Sequence, residues 1–253
     1  MTIIKTVEEW KEIQKMIDSS KKIGFVPTMG GLHEGHMSLV EKCKSENEIC
    51  VVSIYLNPTQ FDNKNDLLTY PASFEDDIKL LEENNVDYLF APNYKVMYPD
   101  DYKYKILETD FSKELCGAKR PGHFEGVLTI VMKLFNIIKP QNAYFGEKDF
   151  QQYKLLDGMV KSFFLDVNLI PCPIIREKSG LAISSRNRKL SETGKEKAAL
   201  LHQVISEKTN LQEKQEKLEK EGFVVDYITE KDNRIFVAAF LEDVRLIDNV
   251  LTE

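Results

Sequence analysis

Short apolar runs that read as β-strands recur along this chain with helical patterns between them, and that alternation restricts the fold more than any other feature. Residues 23–27, 49–55, 86–91, 143–145 and 167–175 are rich in β-branched and aromatic side chains. Helical periodicity occupies 6–19, 35–45, 74–84 and 148–164, opened by a capping box at Thr6 and Glu9 in the first and by Ser73 in the third. A further pattern at 127–138 is apolar on most faces and stops before Pro140, as expected of a buried helix. Continuous apolar strands alternating with helices imply a parallel sheet covered on both faces, a Rossmann-like α/β architecture. Such sheets take their ligands beyond the carboxyl ends of the strands.

After residue 176 the pattern changes. A helical stretch at 191–207 and a Lys/Glu/Gln-rich one at 208–221, ended by Gly222, precede strand patterns at 223–228, 234–240 and 244–247. The chain is therefore expected to divide into a Rossmann-like domain over 1–175 and a small α+β domain over 176–253.

With 253 residues, 42% of them hydrophobic and 30% charged, there is enough apolar material for a substantial core. A net charge of −7 argues against a general nucleic-acid binder, which needs a basic face. No apolar run approaches the length of a membrane span and no signal-peptide pattern opens the chain, so a cytoplasmic location is expected. Cys43, Cys50, Cys116 and Cys172 lack C-x-x-C spacing, which fits reduced thiols rather than a metal knot.

The polar clusters sit just after the strands. The first strand empties into Pro27-Thr28-Met29-Gly30-Gly31-Leu32-His33-Glu34-Gly35-His36, and a helix follows. The first amides of a helix lack internal partners and point where the macrodipole is positive, so an anion settles there. The glycines allow a tight turn and close approach, and His33 and His36 can donate to phosphate oxygens.

Leu56-Asn57-Pro58-Thr59-Gln60-Phe61 ends the second strand, and the Asn57 and Gln60 amides suit a neutral or carboxylate substrate that carries hydroxyls. Gly146-Glu147-Lys148-Asp149-Phe150-Gln151-Gln152 opens another helix, with Lys148 as a mobile positive charge for phosphate and Gln152 one turn along. Ile183-Ser184-Ser185-Arg186-Asn187-Arg188 offers two hydroxyls and a guanidinium, a clamp for a triphosphate. His202 lies in a helical pattern and reads as structural. No Ser/His/Asp or Cys/His arrangement suggests covalent catalysis.

PTMGGLHEGH, LNPTQF, RPGHFEGV, YFGEKDFQQ and GLAISSRN, in that order, with an echo at Arg245-Leu246-Ile247-Asp248-Asn249, resemble the pantoate–β-alanine ligase family of the HxGH nucleotidyltransferase-like group. The resemblance implies a homodimer and an ATP- and Mg²⁺-dependent reaction. Pantoate is adenylated with release of pyrophosphate, then β-alanine displaces AMP. It also implies ATP contacts at Met29, Gly30, Gly31, Leu32, His33, Glu34, Gly35, His36, Gly146, Glu147, Lys148, Asp149, Ile175, Ile183, Ser184, Ser185 and Arg186. His36, His33, Lys148 and Arg186 take the catalytic roles, and Gln60, Gln152 and Asn57 hold pantoate or β-alanine. Mg²⁺ is expected through the ATP phosphates, without protein ligands. Against the family pattern, Gly31 stands for alanine, Ala72 and Glu125 stand where arginine is frequent, and the C-terminal domain is expected to be shortened. An adenylyltransferase of the same group, or a non-catalytic nucleotide-binding module, would carry many of the same residues.

Overall fold

A computed structural model describes residues 1–252. In chain order the elements are β1 (Thr2–Ile4), α1 (Val7–Met16), β2 (Ile23–Thr28), α2 (Glu34–Glu46), β3 (Ile49–Ile54), α3 (Lys64–Leu68), α4 (Phe74–Glu83), β4 (Tyr88–Phe90), α5 (Tyr94–Met97), α6 (Leu115–Lys119), α7 (His123–Ile138), β5 (Asn142–Gly146), α8 (Phe150–Ser162) and β6 (Asn168–Cys172). There follow α9 (Glu192–Ala198), α10 (Leu200–Ile205), α11 (Leu211–Lys220), β7 (Val224–Lys231), β8 (Arg234–Leu241) and β9 (Val244–Leu251). Two compact units result: Met1–Gly146 with Gln151–Cys172, and Glu147–Phe150 with the chain from Pro173 onward.

The first unit holds a six-stranded sheet in the order β1-β4-β3-β2-β5-β6, parallel throughout. From β2 the chain moves outward through β3 to β4, then crosses back to place β5 on the other side of β2. The order reverses there, and a reversal is where an open α/β sheet forms its ligand crevice. The ladders agree. β2 and β3 stay paired from Ile23↔Ile49 to Thr28↔Ile54, whereas β2 and β5 pair only at Gly24↔Asn142 and Phe25↔Ala143. Pro27, which has no N–H to offer, lies past that last rung, and β2 and β5 part toward their carboxyl ends.

α7 covers the sheet with an almost continuously buried surface, and Phe135 meets Phe25 and Phe145 edge-on at 6.5 and 6.4 Å. α1 starts at the capping box of Thr6 and Glu9 and buries Trp10 completely, edge-on to Tyr88 at 5.7 Å. The four cysteines are buried and none is in a disulfide among the described residues.

The second unit is an antiparallel sheet, β7-β8-β9, packed on one face by Leu201, Val204 and Ile205 of α10 and Leu218 of α11. Among the described residues no helix is long and apolar enough to cross a membrane.

Several elements differ from the sequence expectation. β1 was not anticipated, being three residues long and largely exposed at a sheet edge. The buried helix expected from 127 starts at His123, because Gly122 takes a left-handed φ of 79° and ends the preceding loop. The helix expected from 148 is a 3₁₀ turn over Glu147–Asp149, with α8 beginning at Phe150. The last strand of the large sheet stops at Cys172 rather than 175, where Pro173 withholds its donor. The pattern at 191–207 is divided at Ala199 into α9 and α10. The boundary between units falls after Cys172, and Glu147–Phe150 leave the first unit for the second.

Candidate active site

The turn between β2 and α2 is locked from both sides. Thr28 Oγ1 donates to the Ser53 carbonyl at 2.8 Å and accepts from the Gly30 amide at 3.2 Å. Gly30 and Gly31 both have left-handed φ, 80° and 65°, where any side chain would be strained. Asp77, buried on α4, accepts from the Gly31 and Leu32 amides at 2.8 and 2.7 Å. With the turn fixed, His33 becomes the extended N-cap residue of α2 and His36 falls in its first turn. Their rings stack at 4.1 Å with a 38° tilt, at the helix end whose amides and dipole attract anions. Glu34, in the same turn, is exposed.

The loop after β3, the neighbour of β2, carries the amide pair. Asn57 caps the 3₁₀ turn Pro58–Gln60 and is fully enclosed. Its Nδ2 donates to Gln60 Oε1 at 3.0 Å and to the Gly126 carbonyl at 3.2 Å, while its Oδ1 accepts from Thr59 Oγ1 and Tyr98 Oη, both at 2.9 Å. Asn57 thus aims Gln60. Burial raises the phenols of Tyr98 and Tyr55 above their usual range, so both stay protonated, and Tyr98 remains a donor to Asn57. The Tyr55 hydroxyl is buried without a hydrogen-bond partner among the described residues. Behind the turn, His123 Nδ1 lies 2.8 Å from the Gln60 carbonyl and Arg120 pairs with Asp62 at 3.1 Å.

On α8, Gln151 rather than Gln152 is the buried amide. It donates to the Phe111 and Glu114 carbonyls and accepts from the Cys116 amide, leaving the half-buried Gln152 beside it. Glu125, expected to remove a positive charge, is answered locally by Lys105 at 2.7 Å and by the Tyr102 hydroxyl at 3.2 Å. Burial and the Glu125 charge together push the Tyr102 phenol up to about 12.

Apart from Gly146, which belongs to the first unit, the other expected nucleotide contacts lie within the second. Lys148 Nζ stands 3.9 Å from Asp149 in the 3₁₀ turn that leaves β5 at Gly146. Residues 175–183 form a small hairpin closed by an antiparallel bridge between Arg176 and Ala182, with the Ile183 amide donating to the Ile175 carbonyl at 2.9 Å. Ser184 caps the following 3₁₀ turn, Ser185–Lys189, by accepting from the Arg186 amide at 3.3 Å, and Asn187 holds the Ala182 carbonyl at 3.0 Å.

The sites after β2 and β3 thus stand on adjacent strands of one unit, and Lys148, Ile175, Ile183, Ser184, Ser185 and Arg186 belong to the other. Among the described residues no group of three or more His, Cys, Asp or Glu side chains could hold a metal ion. Sequence reasoning did not find Asp77, Tyr55 or Tyr98. Only the Gly-flanked setting of His123 gave that residue a signal.

A family model described as pantoate-beta-alanine ligase matches residues 2–251. The chain belongs to the pantoate–β-alanine ligase family. The pantothenate synthetase of Bdellovibrio bacteriovorus is 51% identical over 231 residues, covering 91% of this chain and 92% of that protein. That of Thermotoga petrophila is 46% identical over 278 residues, covering 99% of each. A crystal structure of a pantoate-beta-alanine ligase from Francisella tularensis, complexed with beta-gamma ATP and beta-alanine, matches with a TM-score of 0.95 at 44% identity, over 99% of this chain and 97% of that one. A pantothenate synthetase from Thermus thermophilus matches with a TM-score of 0.89 at 36% identity, over 99% of each chain. A six-stranded parallel sheet with a small antiparallel C-terminal sheet is therefore the architecture this ligase family shares with the chain.

Proposed function

We propose that this chain joins pantoate to β-alanine with consumption of ATP, through a pantoyl-adenylate. A pantoate carboxylate oxygen bonds to the α-phosphorus as the bond to pyrophosphate breaks. The β-alanine amine then bonds to the acyl carbon, loses a proton, and AMP departs with the former bridging oxygen. The observation that carries this reading is the histidine pair at the start of α2, set on a glycine turn that Asp77 fixes.

In-line attack at phosphorus needs positioning and charge stabilisation more than a protein nucleophile. His33 and His36, with the α2 amides, receive the negative charge that grows on the phosphates. Lys148 and Arg186 add cations, and Ser184, Ser185, Ile183 and Ile175 hold the nucleotide. Gln60, aimed by Asn57, grips pantoate together with Gln152. Mg²⁺ would be carried by the ATP phosphates, screening their charge. The described residues offer it no ligand cluster, and every role above rests on the chain's own groups.

Incubation with ATP, pantoate and β-alanine should yield AMP, pyrophosphate and pantothenate in equal amounts. Absence of AMP and pantothenate from the wild type would refute the reaction. His36→Ala and Lys148→Ala should fold normally and lose roughly 10²-fold or more in rate. Wild-type rates in both would remove them from the mechanism.

A further inference from the structure

The last strand repeats an alternation that one residue breaks. Val244, Leu246 and Asp248 of β9 point to the face that α10 covers, and Arg245, Ile247, Asn249 and Leu251 to the other. On that second face Arg245 and Ile247 are half-buried and Leu251 is 70% exposed, yet Asn249 is only 2% exposed. What covers it is the segment Glu147–Phe150. Asn249 Nδ2 donates to the Glu147 carbonyl at 3.0 Å and to the Lys148 carbonyl at 3.1 Å. Its Oδ1 accepts from Arg234, whose guanidinium lies 3.9 Å from the Phe150 ring centroid and 3.5 Å from the Glu147 carboxylate.

On the opposite face Asp248, equally enclosed, binds both terminal nitrogens of Arg176 at 2.6 and 2.9 Å. Arg176 also donates to the Gly180 carbonyl at 3.1 Å, which draws together the hairpin from Ile175 to Ile183. The Asn249 amide donates to Asp248 Oδ1 at 2.8 Å, so the two holds share a peptide. Each bond spans about 70 to 100 residues of chain and ends on the backbone or flank of a segment expected to touch ATP.

We infer that the adjacent residues Asp248 and Asn249 are positioning residues for the nucleotide chemistry, one fixing the 175–183 hairpin and the other the Lys148 turn from opposite faces of a single strand. Neither touches a reacting atom. The inference rests on the proposed placement of Lys148 and Ile175 at the nucleotide.

Asn249→Asp tests it, because the carboxylate keeps the shape and the oxygen that accepts from Arg234 but puts an acceptor in place of the N–H donors that hold the Glu147 and Lys148 carbonyls. Pantoate-dependent exchange of pyrophosphate into ATP should fall about 10- to 100-fold, the scale of a small misplacement of catalytic groups, with the far-ultraviolet circular dichroism spectrum of the folded protein unchanged. Amides of residues 147–150 should exchange hydrogen faster. Adding Asn249→Asp to Lys148→Ala should slow it no further. If Lys148→Ala loses activity while Asn249→Asp does not, or if the two losses multiply, the inference falls and the functional reading stands. If Lys148→Ala retains full activity, the reading of Lys148 falls and the inference with it. Should Asn249→Asp fail to fold, Asn249→Ala carries the same expectations. Asp248→Asn should raise the KM for ATP about tenfold without moving that for β-alanine, the cost of one charge-assisted bidentate pair being felt only where the hairpin meets nucleotide. Equal shifts in both constants overturn its half of the inference.

Discussion

Asp77 commits both carboxylate oxygens to backbone amides while shielded from water, so a change there acts on the turn that carries the histidines. Asp77→Asn leaves one oxygen to serve two N–H groups and turns a donor toward the other. A buried amide without an acceptor costs about 1–3 kcal/mol. Urea denaturation should show a loss on that scale, and the KM for ATP should rise as the turn before α2 loosens. An unchanged denaturation midpoint together with an unchanged KM would show that the carboxylate is not what holds the turn. His33 and His36 were legible in the sequence because rare residue types stood at local spacing beside glycines. Asp77 was not, since an acid in the first turn of α4 is what the helix dipole alone favours, and its partners lie more than forty residues away.

Between elements, the closest approach that matters is α7 against the turn carrying Gln60. A Cβ on Gly126 would stand 2.5 Å from the Thr59 carbonyl oxygen and 2.7 Å from the Gln60 Cα, both backbone atoms that cannot swing aside. Alanine gains about 1 kcal/mol of helix propensity over glycine. Forcing a methyl into a packed contact costs about 1–3 kcal/mol, and with backbone at that distance the steric term prevails. Gly126→Ala should therefore lower the melting temperature and raise the KM for pantoate by shifting Gln60, and a variant that melts and binds like the wild type would contradict this packing. Strands with four or more apolar residues and both faces buried could be read directly. β1 could not, because so short an edge strand has no periodicity to show, and the 3₁₀ turn before α8 could not, because Asn249 holds it from about 100 residues away.

At the scale of the whole molecule, the sequence pattern changes character after residue 176, whereas the compact units divide after Cys172 and Glu147–Phe150 go with the later one. No local signal marks a segment whose anchors are Asn249 and Arg234. The same unit contains a titrating group. Burial lowers the pKa of His202, the Arg176 charge lowers it further, and Asp248 at 3.8 Å restores only part. The unfolded chain, with histidine near 6.5, then takes up the proton first as pH falls. Stability from this group is complete above about pH 6.5 and declines as the solution is acidified below it. Melting temperatures measured at about pH 7.5 and about pH 5.5 should differ more for the wild type than for His202→Gln. Parallel lines would exclude His202 as the source.

Trp10 is the chain's single tryptophan, and it sits fully enclosed against Tyr88 in the first unit. Indole emission is thus an optical probe of the large sheet alone, blind to the smaller sheet from Val224 onward. Set beside a far-ultraviolet signal that sees both, it turns any denaturation curve into a question about cooperativity: coincident curves mean the units unfold together, and separated ones give each its own free energy.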